Sequence, residues 1–170
     1  LATLVHNLLE TTRLEAGVQL KKDLYPLEEV IGAALERLSK LLADRDIKTS
    51  LPEDLPLVPM DAVLMELLFF NLIENAARHT PAGTAIEISA KDEGDRLTIS
   101  IADRGPGLAK EDLERVFEKF YRAKATRGGA GLGLAICKAV IEAHGGSIRA
   151  ENRPTGGAAF RLSLPHKEKR

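Results

Sequence analysis

Residues 128–146, "GGAGLGLAICKAVIEAHGG", set glycines at 128, 129, 131 and 133 directly ahead of an apolar, helix-like run. Glycine at a helix entrance lets the backbone approach a ligand, and a helix N-terminus favours an anion, phosphate above all. Two phosphate fingerprints fail here. No lysine follows "GAGLGL" as a P-loop requires, and the glycines run G-x-G-x-G after a cationic loop, not G-x-G-x-x-G after a strand. On glycine content alone, a structural turn and a phosphate cradle are equal readings.

A second group lies on "DAVLMELLFFNLIENAARHT". At about 100° per residue, Asn71, Glu74, Asn75 and Arg78 share one side of a helix. Leu64, Met65, Leu68, Phe69, Leu72, Ile73 and Ala76 fill the rest of the circumference. Such a helix is buried, and a buried amide without a partner costs about 1–3 kcal/mol. Either a neighbouring loop meets the two amides at an exposed helix end, or they do cation and phosphate work. Amide oxygens suit Mg²⁺, and Arg78 offers a charge-assisted fork. A third group is "DRGPGL", residues 103–108, where strand alternation stops at Asp103 and Gly105 and Gly107 bracket Pro106. That turn is expected to expose the carboxylate at a sheet end. A carboxylate only accepts hydrogen bonds, so it could select an exocyclic amine such as adenine's; an ordinary Asp in a Gly-Pro-Gly turn is the competing reading.

The elements that must position these groups follow from periodicity. Residues 1–16 carry apolar positions at 1, 4, 5, 8, 9 and 14 and stop at Gly17, which predicts an amphipathic helix in want of a partner. "QLKKDLYPL" reads as a strand, 26–46 as a helix, "IKTSLP" as a short strand, and the stretch to Pro59 as a Pro-rich link. Asp61 is a natural N-cap for the helix over 61–79. Two alternating strands then flank Glu93-Gly94-Asp95, a hairpin. "KEDLERVFEKFYR" predicts a short helix, 122–130 a cationic loop, and "GSIRAEN" and "GAAFRLSLP" two closing strands around Pro154–Gly157. Mixed helices and hairpins without regular βαβ alternation predict an α+β, two-layer α/β sandwich with a mixed, mostly antiparallel sheet on about three helices.

Composition narrows the function. A chain of 170 residues with 44% hydrophobic and 29% charged residues is one globular domain with an appendage. Net charge is −1, so no basic field argues for nucleic acid or for membrane contact. No apolar run approaches the roughly 20 residues of a membrane span. Cys137 falls in an apolar helical pattern, which predicts a buried, reduced thiol suited to the cytoplasm. The chain opens in mid-pattern at Leu1, as expected of a piece of something longer.

In order, "NLIENAARHT", "DRGPGL", "VFEKFYR", "GGAGLGLAI" and "GGAAF" resemble the N, G1, F, G2 and final glycine boxes of sensor histidine kinase catalytic domains, in the Bergerat-type ATPase superfamily. The likeness spans about residues 18–165. "LVHNLLETTRLEAG" is similar to the end of the second dimerisation helix that precedes such domains, and "NRPTGGAAF" and "LGLAICKAVIEAHGGSI" resemble the KdpD-type potassium and osmotic sensor kinases. The resemblance implies a dimerisation-helix remnant over 1–17, an ATP-binding domain over 18–165 and a solvated tail over 166–170. It implies ATP and Mg²⁺ as cofactors, with Asn71 and Asn75 on the metal and phosphate as catalytic and metal-binding residues. Arg78 would replace the usual lysine, and His79 stands where tyrosine is common. Asp103 would accept from the adenine amine, with Gly105 and Gly107 near the base. Phe117 and Phe120 would anchor the lid, and Arg122, Lys124 and Arg127 would reach the terminal phosphate. Gly129, Gly131, Leu132 and Gly133 would wrap the phosphates. Ala159 stands where a hydroxyl residue often precedes Phe160.

The reaction so implied is transfer of the γ-phosphoryl group of ATP to a histidine, then to a response regulator of KdpE type. A water-activating glutamate of the related gyrase and chaperone ATPases is replaced by Asn71, which disfavours hydrolysis; Glu74 is a lesser candidate for such a role. His6 lies on the second dimerisation helix and not in the family's acceptor box, so the acceptor is expected on helices of the same protein outside these residues. His144, just before Gly145, would suit the helix dipole. Such proteins are cytoplasmic domains of sensors anchored in the bacterial inner membrane. Competing readings are an ATP-holding regulatory module, an anti-sigma-type serine kinase and a plain structural domain.

Overall fold

A computed structural model gives the architecture over residues 2–123 and 131–167. Its elements are α1 (Ala2–Glu15), β1 (Asp23–Tyr25), α2 (Leu27–Arg37), β2 (Ile47–Ser50), β3 (Val58–Met60), α3 (Ala62–Arg78), β4 (Ile86–Asp92), β5 (Arg96–Ala102), α4 (Asp112–Arg115), α5 (Gly133–Ala143), β6 (Ser147–Asn152) and β7 (Ala158–Pro165). Five strands form one sheet in the order β2-β4-β5-β7-β6, parallel at β2–β4 and antiparallel elsewhere.

Alternation decides which sheet face meets the helices. Ile88, Ile101, Phe160 and Ala150 stand opposite one another across four strands, as do Ala90, Ile99, Leu162 and Ile148. These rows pack with α2, α3 and α5 in one core whose largest closed side chains include Phe69, Ile31, Met65, Leu72 and Ile73. The other sheet face is polar. The expected two-layer sandwich is therefore the observed fold.

Three local differences have physical causes. The link before Pro59 contains β3, because Val58 and Met60 are completely buried and pair with β1; Pro59, opposite Leu24, is tolerated in a two-stranded ribbon. The helix expected to reach residue 46 stops at Arg37 and continues as turns. Leu38 and Leu42 stay buried in those turns, so the apolar pattern is satisfied without helical geometry. Helix α1 forms as expected, and it docks by a face the apolar pattern did not mark: Asn7 and Thr11 are buried beside Leu14, which packs on the core, while Val5, Leu8 and Leu9 are exposed.

Candidate nucleotide site

Helix α3 is placed by its two ends. Asp61 caps it, its Oδ1 accepting from the Leu64 N–H at 3.2 Å, while its own N–H donates to His144 Nε2 at 3.0 Å. That bond fixes the C-terminus of α5 against the N-terminus of α3. Antiparallel to α3, the α5 helix then brings its first residue to Asn71, where a Cβ on Gly133 would stand 3.0 Å from Asn71 Oδ1.

The far end of α3 is held by Arg45. Its guanidinium donates to the carbonyls of Ala77 at 2.5 Å and Thr80 at 3.0 Å, and to the hydroxyls of Thr80 and Thr84. Arg78 is exposed, its Nε on Glu74 at 3.2 Å. His79 ends the helix, and burial pushes its ring pKa down against the upward pull of Asp103, with Arg78 and Arg122 adding to the depression. His79 thus sits within the fields of three of the charged residues the sequence had singled out.

Asp103 is 5% exposed, a correction to the open carboxylate expected at the sheet end. Its Oδ1 accepts from the N–H groups of Gly105 at 2.9 Å and Ala158 at 3.1 Å, which fixes the carboxylate and leaves Oδ2 as its second acceptor. The surrounding glycines answer to the protein's own backbone. A Cβ on Gly105 would meet the His79 carbonyl and the Thr80 methyl at 3.0 Å, and one on Gly157 would lie 2.1 Å from the Asp103 carbonyl. Gly107, at φ +76°, would collide with Asn152. Asn152 clamps the turn by accepting from the Leu108 N–H at 2.8 Å and donating to its carbonyl at 2.7 Å.

Gly131, at φ +75°, packs on the Phe120–Tyr121 backbone, and its carbonyl accepts the Phe120 N–H at 2.9 Å. Leu132 is buried at the start of α5. The two aromatics part company: Phe117 is buried edge-on to Phe160, whereas Phe120 is 62% exposed at φ +62°, a strained angle for a residue with a Cβ. Lys124, Arg127, Gly128 and Gly129 lie outside the described residues.

One contiguous cluster therefore joins α3 at Asn71, Asn75, Arg78 and His79, the β5 end at Asp103 and Gly105, and the α5 entrance at Gly131–Gly133. Asn75 is half-buried and its amide has no hydrogen-bond partner among the described residues. Asn71 is only 7% exposed, its Nδ2 donating to the Leu67 carbonyl at 2.9 Å and its Oδ1 accepting from Asn7 of α1 at 3.3 Å. Sequence reasoning missed Asn7, Arg45, Asn152 and Arg153, the last donating to the Asp103 carbonyl at 3.0 Å; all four depend on partners dozens of residues away. A cavity of about 390 Å³ lies on the opposite, polar sheet face between Lys48, Glu87, Ser100 and Arg161, away from this cluster.

Residues 60–168 match the family described as histidine kinase-, DNA gyrase B- and HSP90-like ATPase. The chain belongs to that family, and within it has the catalytic, ATP-binding type of domain found in sensor histidine kinases. It is 45% identical over 165 residues to the sensor protein KdpD of Escherichia coli, across 95% of this chain and 18% of that protein. The sensor protein KdpD of Clostridium acetobutylicum is 39% identical over 170 residues, across 97% of this chain and 19% of that protein. The chain thus spans about a fifth of the length of these curated relatives. Among solved structures, the mycobacterial sensor histidine kinase MprB superposes with a TM-score of 0.77 at 28% identity, over 87% of this chain and 99% of that one. Full-length ShkA in complex with AMPPNP gives 0.83 at 28% identity, over 98% of this chain and 36% of that one.

Proposed function

We propose that this domain binds Mg-ATP and presents the γ-phosphoryl group to a histidine on dimerisation helices of the same protein, for relay to a response regulator. The observation that supports this best is the convergence of Asn75, Asp103 and the α5 entrance on one cluster. The donor set fits the nucleotide: Asn75 offers a hard cation an amide oxygen that is unpaired among the described residues, and Asp103 offers a fixed acceptor to an amine. The α5 N-terminus supplies unsatisfied N–H groups to phosphate. Bound Mg-ATP would supply the transferable phosphoryl group and the charge that shields it. The chain's own part is positioning. Asn75 and, when free, Asn71 hold the metal and phosphates, Arg78 and Arg122 lie where cations can neutralise them, and Gly105 brings the backbone near the base. Such transfer needs alignment and charge neutralisation more than covalent help.

The likeness to KdpD sensor proteins favours potassium or osmotic sensing and a KdpE-type regulator as the physiological setting. Residues 1–17 are read as the end of a dimerisation helix, 18–165 as the ATP-binding domain and 166–170 as a tail. Calorimetry with Mg-ATP tests the core of the proposal. Asp103→Asn, which puts an amide donor where the adenine amine needs an acceptor, should weaken binding by about tenfold or more. Unchanged affinity would refute the assignment. Phosphotransfer is tested by mixing the domain with the histidine-bearing helices of a KdpD protein and following γ-phosphate; no incorporation would leave ATP binding without kinase action.

A further inference from the structure

We propose that α1 is a removable stopper on the nucleotide site: while α1 is docked, Asn7 occupies Asn71 Oδ1, and docking excludes coordination of the magnesium-nucleotide by that oxygen. The proposal rests on the Mg-ATP reading above and gives that site a built-in control.

The orientation of the Asn71 amide is fixed. Its Nδ2 donates to the Leu67 carbonyl one turn earlier at 2.9 Å, so only Oδ1 can face outward. On one side Oδ1 meets Asn7 Nδ2 at 3.3 Å, and on the other it faces the α5 entrance at Gly133. A magnesium ion binds oxygen at about 2.1 Å and brings further ligands with it. Bound here, it would stand in space the Asn7 amide fills, facing the positive end of an N–H dipole. Asn75, by contrast, is half-buried with no hydrogen-bond partner for its amide among the described residues. Nucleotide can engage Asp103 and Asn75 with α1 in place, but the second amide becomes available only when α1 leaves.

The packing of α1 suits a helix that leaves. Its docked face is mixed: Asn7 and Thr11 are buried and Leu14 packs on the core, while apolar Val5, Leu8 and Leu9 face outward. Thr11 satisfies its hydroxyl within α1, on the Asn7 carbonyl at 2.7 Å, and so adds no bond to the domain. Asn7 Oδ1 is buried with no partner, a standing cost of the docked state that undocking relieves. A cleft of about 200 Å³ separates Glu10, Arg13 and Leu14 from Val63 and Leu64 of α3. The remaining polar tie among the described residues, Glu15 to Lys119 at 2.5 Å, is solvent-exposed and contributes little.

Hydrogen exchange and calorimetry on the whole chain, the wild type beside Asn7→Ala and Thr11→Arg, test this. The first variant removes the amide; the second puts a long cation at a position 1% exposed and forces undocking. In the wild type, α1 amides should lose protection when Mg-ATP is added. Both variants should bind Mg-ATP about three- to tenfold more tightly, with affinity for ATP in EDTA unchanged. Wild-type α1 that keeps its protection under saturating Mg-ATP overturns the stopper. So does weaker Mg-ATP binding by Asn7→Ala, which would make Asn7 a ligand instead. Equal Mg-ATP affinity in all three proteins overturns the stopper alone, whereas absence of ATP binding in all three overturns the nucleotide reading with it.

Discussion

His144 sits at the C-terminal end of α5, where a protonated ring would favour the helix dipole. The structure uses the neutral ring instead. Nδ1 faces the Val140 carbonyl at 2.7 Å and Nε2 accepts the Asp61 N–H at 3.0 Å, so the proton resides on Nδ1. Burial is the main cause that holds its pKa below the ordinary 6.5. A depressed histidine pKa means the folded state prefers the uncharged ring. The contribution is complete above about pH 6.5, declines as pH falls through the window beneath, and is gone below the folded pKa. The thermal midpoint should therefore drop as pH falls below about 6.5, and His144→Gln should flatten part of that acid limb. His79, also pushed down by burial, supplies another part. Identical acid limbs for variant and wild type would contradict this account. The glycines make a parallel point: 105, 107, 131 and 157 face carbonyls and side chains of their own chain, so their presence follows from packing before any ligand is considered.

At the scale of elements, α3 carries four of the candidate residues and depends on anchors outside itself. Arg45 holds its end by a fork on Ala77, Thr80 and Thr84, and that fork fixes the Thr80 methyl and His79 carbonyl against which Gly105 packs. Arg45→Met should cost about 2–3 kcal/mol in urea unfolding, since charge-assisted bonds to α3 carbonyls are lost, and Arg45→Lys should restore little of it because an ammonium lacks the planar fork. Equal stability of Met, Lys and wild-type proteins would show the fork to be dispensable. Helix α1 behaves differently. Its apolar stripe is plain in the sequence, yet the domain takes the side carrying Asn7 and Thr11, since Asn71 offers Asn7 an acceptor; of the stripe, Leu14 packs on the core while Val5, Leu8 and Leu9 stay exposed.

The whole molecule is one sandwich whose core runs continuously from α2 through α3 to α5 and the sheet. Cys137 reports on that continuity. It is fully buried, its Sγ 3.4 Å from the Leu68 carbonyl, and burial pushes its thiol pKa far up. Its reaction with a soluble disulfide reagent should proceed at the rate of global opening and accelerate with denaturant along the unfolding curve. Rapid modification of the native protein would mean that α5 opens locally. No helix among the described residues is long and apolar enough to cross a membrane.

Strand alternation and the 3.6-residue stripe of α3 fixed the sheet face, the central helix and the sandwich from sequence alone, because period and burial are local properties of the chain. The five boxes likewise brought Asn71, Asn75, Asp103 and the G2 glycines into one expectation. Tertiary structure alone decided β3, the early end of α2, the burial of Asp103 and the inward face of α1. Three of these turn on a partner far along the chain: Val58 on β1, Asp103 on Ala158, Asn7 on Asn71. A sequence pattern states which side chains need a partner, and only the fold's geometry says which partner is within reach.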